Sequence, residues 1–93
     1  MRRAAKVDTN QNAIVRGLRQ IFGDDVVFDL SAVGRGCADI LVGVRGRNIL
    51  MEIKTDKGNL TTDQRIFHRL WNGQVDVVHS LDEALALIER ETT

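Results

Sequence analysis

Cys37-Ala38-Asp39-Ile40-Leu41-Val42-Gly43-Val44-Arg45-Gly46-Arg47-Asn48-Ile49-Leu50-Met51-Glu52-Ile53-Lys54 is the stretch on which the rest of the chain depends. Ile40 to Val44 and Ile49 to Ile53 are rich in strand formers, and Arg45-Gly46-Arg47 between them reads as a turn. The whole reads as a β-hairpin. A two-residue loop, Arg45-Gly46, sets Val44 opposite Arg47 and, counting back along both strands, Asp39 opposite Glu52. A loop shifted or lengthened to four residues sets Asp39 opposite Lys54 instead. Either even-length loop leaves Asp39, Glu52 and Lys54 on one face, because strand side chains alternate with period two. Directly opposite Cβ atoms lie about 4.5–5.5 Å apart. An odd loop, or a bulge at Gly43 or Gly46, would break this parity.

Two facing carboxylates repel unless a shared proton, a basic neighbour or a metal offsets the repulsion. A hard divalent ion such as Mg²⁺ takes oxygen ligands, often one or two carboxylates completed by waters and substrate phosphate. Lys54 lies two residues from Glu52 on the same face, within reach of the same phosphate or of an attacking water.

Outward from the hairpin, residues 9–22 read as a helix capped by Asp8 or Thr9, with Ile14, Val15, Leu18, Ile21 and Phe22 on its apolar stripe and Gly23-Asp24-Asp25 as its stop. Val26 to Leu30 reads as a strand, and Ser31 to Cys37 as a glycine-rich loop in which Arg35 is a candidate phosphate contact. Arg45 and Arg47 at the hairpin tip either guard the edge or reach a nucleic-acid backbone. Thr61 opens a second helix ending near Asn72-Gly73, with Ile66, Phe67, Leu70 and Trp71 as its expected buried stripe. Thr61 and Gln64 form a capping-box pattern. Arg65 and Arg69 share one face, lining a groove of DNA or simply solvated. His68 is read as a boundary histidine, since nothing in the sequence pairs with it. Val75 to His79 reads as a buried strand, too apolar for an edge. Ser80-Leu81-Asp82-Glu83 reads as a capping box opening a last helix that packs through Leu81, Ala84, Leu85 and Ile88. The expected class is α/β: a single mixed sheet flanked by helices, in the order α-β-β-β-α-β-α.

The 93 residues are 43% hydrophobic and 28% charged, and they contain one cysteine and no proline. That is one domain, 1–93, large enough for a modest core. No internal disulfide is possible, which fits a reducing cytosol. Cys37 is read as a small apolar residue rather than a ligand or nucleophile. No run approaches the ~20 apolar residues of a membrane span, and no targeting signal is visible, so a cytoplasmic protein without a membrane role is expected. Net charge is zero, but residues 1–70 carry twelve Lys/Arg against eight Asp/Glu, whereas residues 71–93 carry one against five. The basic N-terminal residues Arg2, Arg3 and Lys6 read as a frayed terminus or as an arm on phosphates.

An Asp, then Glu-x-Lys on the partner strand, then a helix opening with Gln, resembles the PD-(D/E)XK nuclease superfamily. Within it the chain is most similar to the small stand-alone VRR-NUC domains of phages and prophages. The matching residues are Asn10-Gln11, Gly34 to Asp39, Asp39 to Gly43, Met51 to Lys54, Leu60 to Gln64 and Val77 to Ser80, spanning a core of about residues 8–90. The resemblance implies a restriction-endonuclease-like core and a Mg²⁺-dependent endodeoxyribonuclease, with Mn²⁺ as a substitute. It implies a catalytic set of Asp39, Glu52, Lys54 and Gln64. The metal would be held by Asp39, Glu52 and the Ile53 backbone carbonyl, with Gln11 standing where relatives carry a Glu. It further implies a homodimer acting on branched DNA such as Holliday junctions, in a bacterial or phage-infected cytoplasm, gripped by Arg35, Arg45, Arg47, Arg65 and Arg69. Two rivals stand beside it. One is a catalytically weak DNA-binding module on the same fold, suggested by Gln11 and by Ala38 in place of a family proline. The other is an interaction module in which Asp39, Glu52 and Lys54 are only a surface salt-bridge ladder, which would contribute little.

Overall fold

A computed structural model describes residues 9–55 and 57–93, Thr9 by its backbone alone. The expected basic arm at residues 1–8, and the cap offered by Asp8 or the Thr9 side chain, lie outside the described residues. The elements are α1 (Thr9–Phe22), a single 3₁₀ turn (Asp24–Val26), β1 (Val27–Asp29), β2 (Ile40–Val44), β3 (Arg47–Ile53), α2 (Thr62–Leu70), β4 (Asp76–Val78) and α3 (Leu81–Thr92). One four-stranded mixed sheet runs β1-β2-β3-β4. Neighbours β1–β2 and β2–β3 are antiparallel, and β3–β4 is parallel, with α2 in the crossover.

The hairpin takes the two-residue loop. Val44 pairs with Arg47 and Ile40 with Met51, so the next step along both strands sets Asp39 against Glu52. Arg45 (φ 54°) and Gly46 (φ 79°) are both left-handed. That is the requirement of a type I′ turn, whose twist matches the flanking strands. Arg45 bears the strain of the position without a glycine. Its guanidinium is anchored to the C-terminal end of α3, donating to Thr92 Oγ1 at 2.9 Å and lying 3.8 Å from Glu89.

Alternation then divides the sheet. Val27, Ile40, Val42, Ile49, Met51, Ile53 and Val78 face one way and form the core with Ile14 and Leu18 of α1 and Ala84, Leu87 and Ile88 of α3. Each of these side chains except Ala84 stabilises by roughly 1.5–3 kcal/mol on burial. α1 and α3 pack closely enough that a Cβ on Gly17 would come within 2.6 Å of Leu81. Asp39, Leu41, Leu50, Glu52 and Lys54 therefore belong to the opposite face, the one bordered by α2.

Several expectations need correction. α2 carries no buried residue: Leu70 is 68% and Trp71 46% exposed, and Ile66 is exposed as well, so its apolar stripe is largely uncovered. Ile21 of α1 is 53% exposed rather than packed. The segment after α1 opens as a 3₁₀ turn before β1 begins at Val27. β4 is an edge strand, with only Val78 buried. Just before it, Gln74 uses its amide as a substitute strand residue: Leu50 N–H donates to its Oε1 at 2.8 Å, and its Nε2 donates to Leu50 O at 2.8 Å. The capping box expected at α3 forms by half. Ser80 Oγ accepts from Glu83 N–H at 3.1 Å, but the Glu83 carboxylate accepts from His79 N–H at 2.8 Å and also meets the His79 ring.

Candidate active site

Period-two alternation and the I′ turn bring the two hairpin carboxyls to one spot. Asp39 sits just before β2, tied at both ends by backbone bonds: Asp39 N–H donates to Met51 O at 3.0 Å, and Leu30 N–H donates to Asp39 O at 2.8 Å. Its carboxylate Oδ2 accepts from Ile53 N–H at 2.7 Å, crossing from one strand to the other. Glu52, 0% exposed, is the only fully buried acid among the described residues. Its carboxyl lies within hydrogen-bonding reach of Asp39, and Lys54 Nζ is 4.0 Å from its Oε2. A charged carboxylate in such a place is expensive. Desolvation first, then the hydrogen bond and charge of Asp39, push the Glu52 carboxyl up to about 8, with Lys54 pulling the other way. Near neutrality the protonated form of Glu52 is therefore favoured.

α2 closes the site. Thr61 caps the helix, and both halves of the expected capping box are made: Gln64 N–H donates to Thr61 Oγ1, while Thr61 N–H donates to Gln64 Oε1. The other end of the same amide, Nε2, donates to Glu52 Oε2 at 3.1 Å. Gln64 is therefore at once helix cap and Glu52 partner. The register of this helix is fixed by Gly36, at φ 76°, where a Cβ would stand 2.3 Å from Asp63 O and 2.9 Å from Gln64 N. The glycine-rich loop thus lies directly on the first turn of α2, a contact only glycine permits.

His68, one turn beyond Gln64, also meets the carboxyl. Its Nε2 stands 3.8 Å from Glu52 Oε1, beyond hydrogen-bond reach, and both atoms are buried without a partner. Desolvation lowers the His68 pKa, partly offset by Asp76, which favours the neutral ring. His68 is the boundary residue expected, but it has a neighbour the sequence could not supply: Glu52 and His68 are sixteen positions apart, and no local spacing joins them. The available signal was that Gln64 and His68 are four apart on a helix and share its face.

Asn10, next to Gln11, ties the start of α1 to the strand ends by donating to Lys54 O and His79 O at 2.9 Å each. Gln11 is buried and lines a cleft with Arg16, Arg19, Asp24 and Asp29. Arg35 (φ 59°), Arg47, Arg65 and Arg69 are exposed, while Arg45 is turned toward α3. Cys37 lies beside the site, and burial followed by the Glu52 charge pushes its thiol up, away from a reactive thiolate. Beyond it an apolar cleft of about 680 Å³ runs between Leu41 and Leu50 of the sheet and Phe67 of α2 with Trp71 just past its end, with Arg35 on its lining. The rings of Phe67 and Trp71 stack with centroids 5.1 Å apart.

Among the described residues no group of three or more His, Cys, Asp or Glu stands ready to hold a metal ion. What the site offers is two adjacent carboxyls, one of them with an orphaned buried oxygen, and this donor chemistry fits a hard divalent cation that keeps most of its waters. A surface salt-bridge ladder is excluded, because Glu52 is wholly out of solvent. No helix among the described residues is long and apolar enough to cross a membrane. The chain matches no family model, and no curated protein or solved structure matches it.

Proposed function

We propose that the protein is a metal-dependent endodeoxyribonuclease that hydrolyses phosphodiester bonds in branched DNA. The observation that carries the reading is the fully buried Glu52 carboxyl beside the half-buried Asp39, with the Lys54 ammonium 4.0 Å from Glu52. Burying a carboxyl at a cost, beside a second carboxyl and a lysine, has a use if a cation and a phosphate complete the site. Asp39 and Glu52 would hold Mg²⁺ or Mn²⁺, with the Ile53 carbonyl as a further donor. The ion would supply charge neutralisation at the scissile phosphate and acidify a water for attack. Lys54 stabilises the negative charge that develops on the phosphoryl oxygens. Gln64 holds Glu52 in one orientation through its 3.1 Å bond. Arg35, Arg47, Arg65 and Arg69 are free to meet the backbone of the substrate, whose contacts would make binding strongly salt-dependent.

Symmetric cleavage of a four-way junction needs two such sites, so the active form is a homodimer. The uncovered apolar side chains Phe28, Val33, Leu70 and Trp71 are surface that a second copy would protect. The test is incubation with labelled duplex, flap and four-way junction DNA, in Mg²⁺ and in chelator, beside Glu52→Ala and Lys54→Ala. Nicking should require the metal and fall by at least about a hundredfold in both variants. Undiminished cleavage by Glu52→Ala would overturn the assignment, and junction binding without any nicking would leave a DNA-binding module.

A further inference from the structure

Among the described residues, three buried side-chain polar atoms have no hydrogen-bond partner, and two of them, Glu52 Oε1 and His68 Nε2, face each other 3.8 Å apart. Leaving one such atom unpaired costs about 1–3 kcal/mol. Two orphans aimed at one another are better explained by something between them than by two separate losses. The rest of the Glu52 carboxyl is already committed, since Oε2 takes the Gln64 amide and faces Lys54. Oε1 is thus the oxygen with lone pairs to give. In the Nδ1–H tautomer, His68 Nε2 likewise presents a lone pair.

Two acceptors cannot bond each other, but both can bond a cation. The 3.8 Å span is short enough for both atoms to reach one ion at ordinary bond lengths of about 2.1 Å. An imidazole changes which ion is preferred. Carboxylate and water suit Mg²⁺, whereas imidazole nitrogen suits Mn²⁺, Co²⁺ and Zn²⁺ increasingly well.

We propose that His68 is a metal ligand, binding a first-row transition ion through Nε2 together with Glu52 Oε1 in preference to Mg²⁺. The proposal rests on the metal-dependent reading of the same site and names the class of its cofactor. α2 then contributes a ligand as well as a cap, and both come from one face of the helix, at Gln64 and His68.

Calorimetric titration of the full chain with Mn²⁺, Co²⁺ and Mg²⁺ tests it, beside His68→Gln and Asp39→Asn. Pulsed electron-spin resonance of the Mn²⁺-loaded protein reports directly on nitrogen at the ion. The wild type should bind Mn²⁺ and Co²⁺ more tightly than Mg²⁺ and give a ¹⁴N modulation of imidazole type. His68→Gln, which keeps a polar atom near the Nε2 position, should lose that modulation and weaken Mn²⁺ and Co²⁺ about tenfold or more, with Mg²⁺ little changed. Unfolding of His68→Gln is monitored separately, and the nitrogen signature of the wild type stands whether or not that variant folds. A wild-type ion without nitrogen modulation, or a His68→Gln protein with the same ion preference, overturns the role of His68 alone, provided Asp39→Asn abolishes binding. A wild type that binds none of the three ions overturns both this proposal and the nuclease reading.

Discussion

Glu52→Gln should erase a pH dependence that one buried carboxyl writes into the stability of the fold. The Glu52 carboxyl is pushed from 4.5 to about 8, so the folded protein holds this proton more tightly than the unfolded chain does. Stability from this group is complete below the unfolded value, declines by up to about 1.4 kcal/mol per pH unit between the two, and is lost once the pH passes the folded value. Between about pH 6.5 and 8.5 the loss comes to roughly 2 kcal/mol. For a domain of this size that is a fall of roughly 8–15 °C in Tm. The window avoids the two neighbours with the clearest shifts: the lowered His68 acts below it, and the raised Cys37 above it. Glutamine mimics the protonated acid, keeping an acceptor for Gln64 while carrying no charge beside Asp39. Thermal melts in chelator at closely spaced pH values should show the wild type falling through the window and Glu52→Gln nearly flat. Saturating Mn²⁺ should restore the wild type most at the alkaline end, adding about 2.7 kcal/mol at a hundred times its Kd. If the two proteins lose stability in parallel, the carboxyl does not hold a proton at neutrality, and the electrostatic account of the site fails.

Gly36→Ala places a Cβ against Asp63 O at 2.3 Å and asks alanine to adopt φ 76°; it should cost about 1–3 kcal/mol and weaken metal binding by displacing Gln64, seen by melts and calorimetry together. Gln64→Glu keeps an acceptor for Thr61 N–H but sets a third acid against Glu52 in place of a donor. In chelator above about pH 8 it should be destabilised by about 1–3 kcal/mol, with a larger recovery in Mn²⁺ than the wild type shows; wild-type stability in chelator would mean that the 3.1 Å bond to Glu52 contributes nothing.

What could be read in the sequence was what the backbone decides locally. The hairpin follows from strand formers around Arg45-Gly46, and parity alone puts Asp39, Glu52 and Lys54 on one face whichever even loop is chosen. The stop of α1 at Gly23 and the cap of α2 from Thr61 to Gln64 are likewise written in short spans. Apart from the 3₁₀ turn before β1 and the half-made cap of α3, the failures were questions of what lies opposite. Periodicity says that Ile66, Leu70 and Trp71 share a face of α2, not that anything covers it. The apolar letters of Val75 to Val78 suggest an interior strand, yet the sheet ends there, and Gln74 finishes the ladder with its side chain. His68 could not be paired from spacing because its partner lies on a strand reached only through the docking of α2.

That docking is the physical link between the fold and the candidate chemistry. The hairpin would form its carboxyl pair without α2, but Glu52 would then lack the Gln64 bond and the His68 contact that α2 supplies, and only Asp39 would raise its pKa. Burial comes from α2, orientation from Gln64, and the facing nitrogen from His68, all within one and a half turns of a nine-residue helix that contributes no residue to the main core. A helix so short has little stability of its own. It is held by the Thr61–Gln64 box, by the close approach of Gly36, and by its polar contacts with Glu52. The carboxyl that α2 buries is therefore also one of the groups that hold α2 in place. A cation between Glu52 and His68 would strengthen that hold, so occupancy of the metal site and order in α2 should rise and fall together.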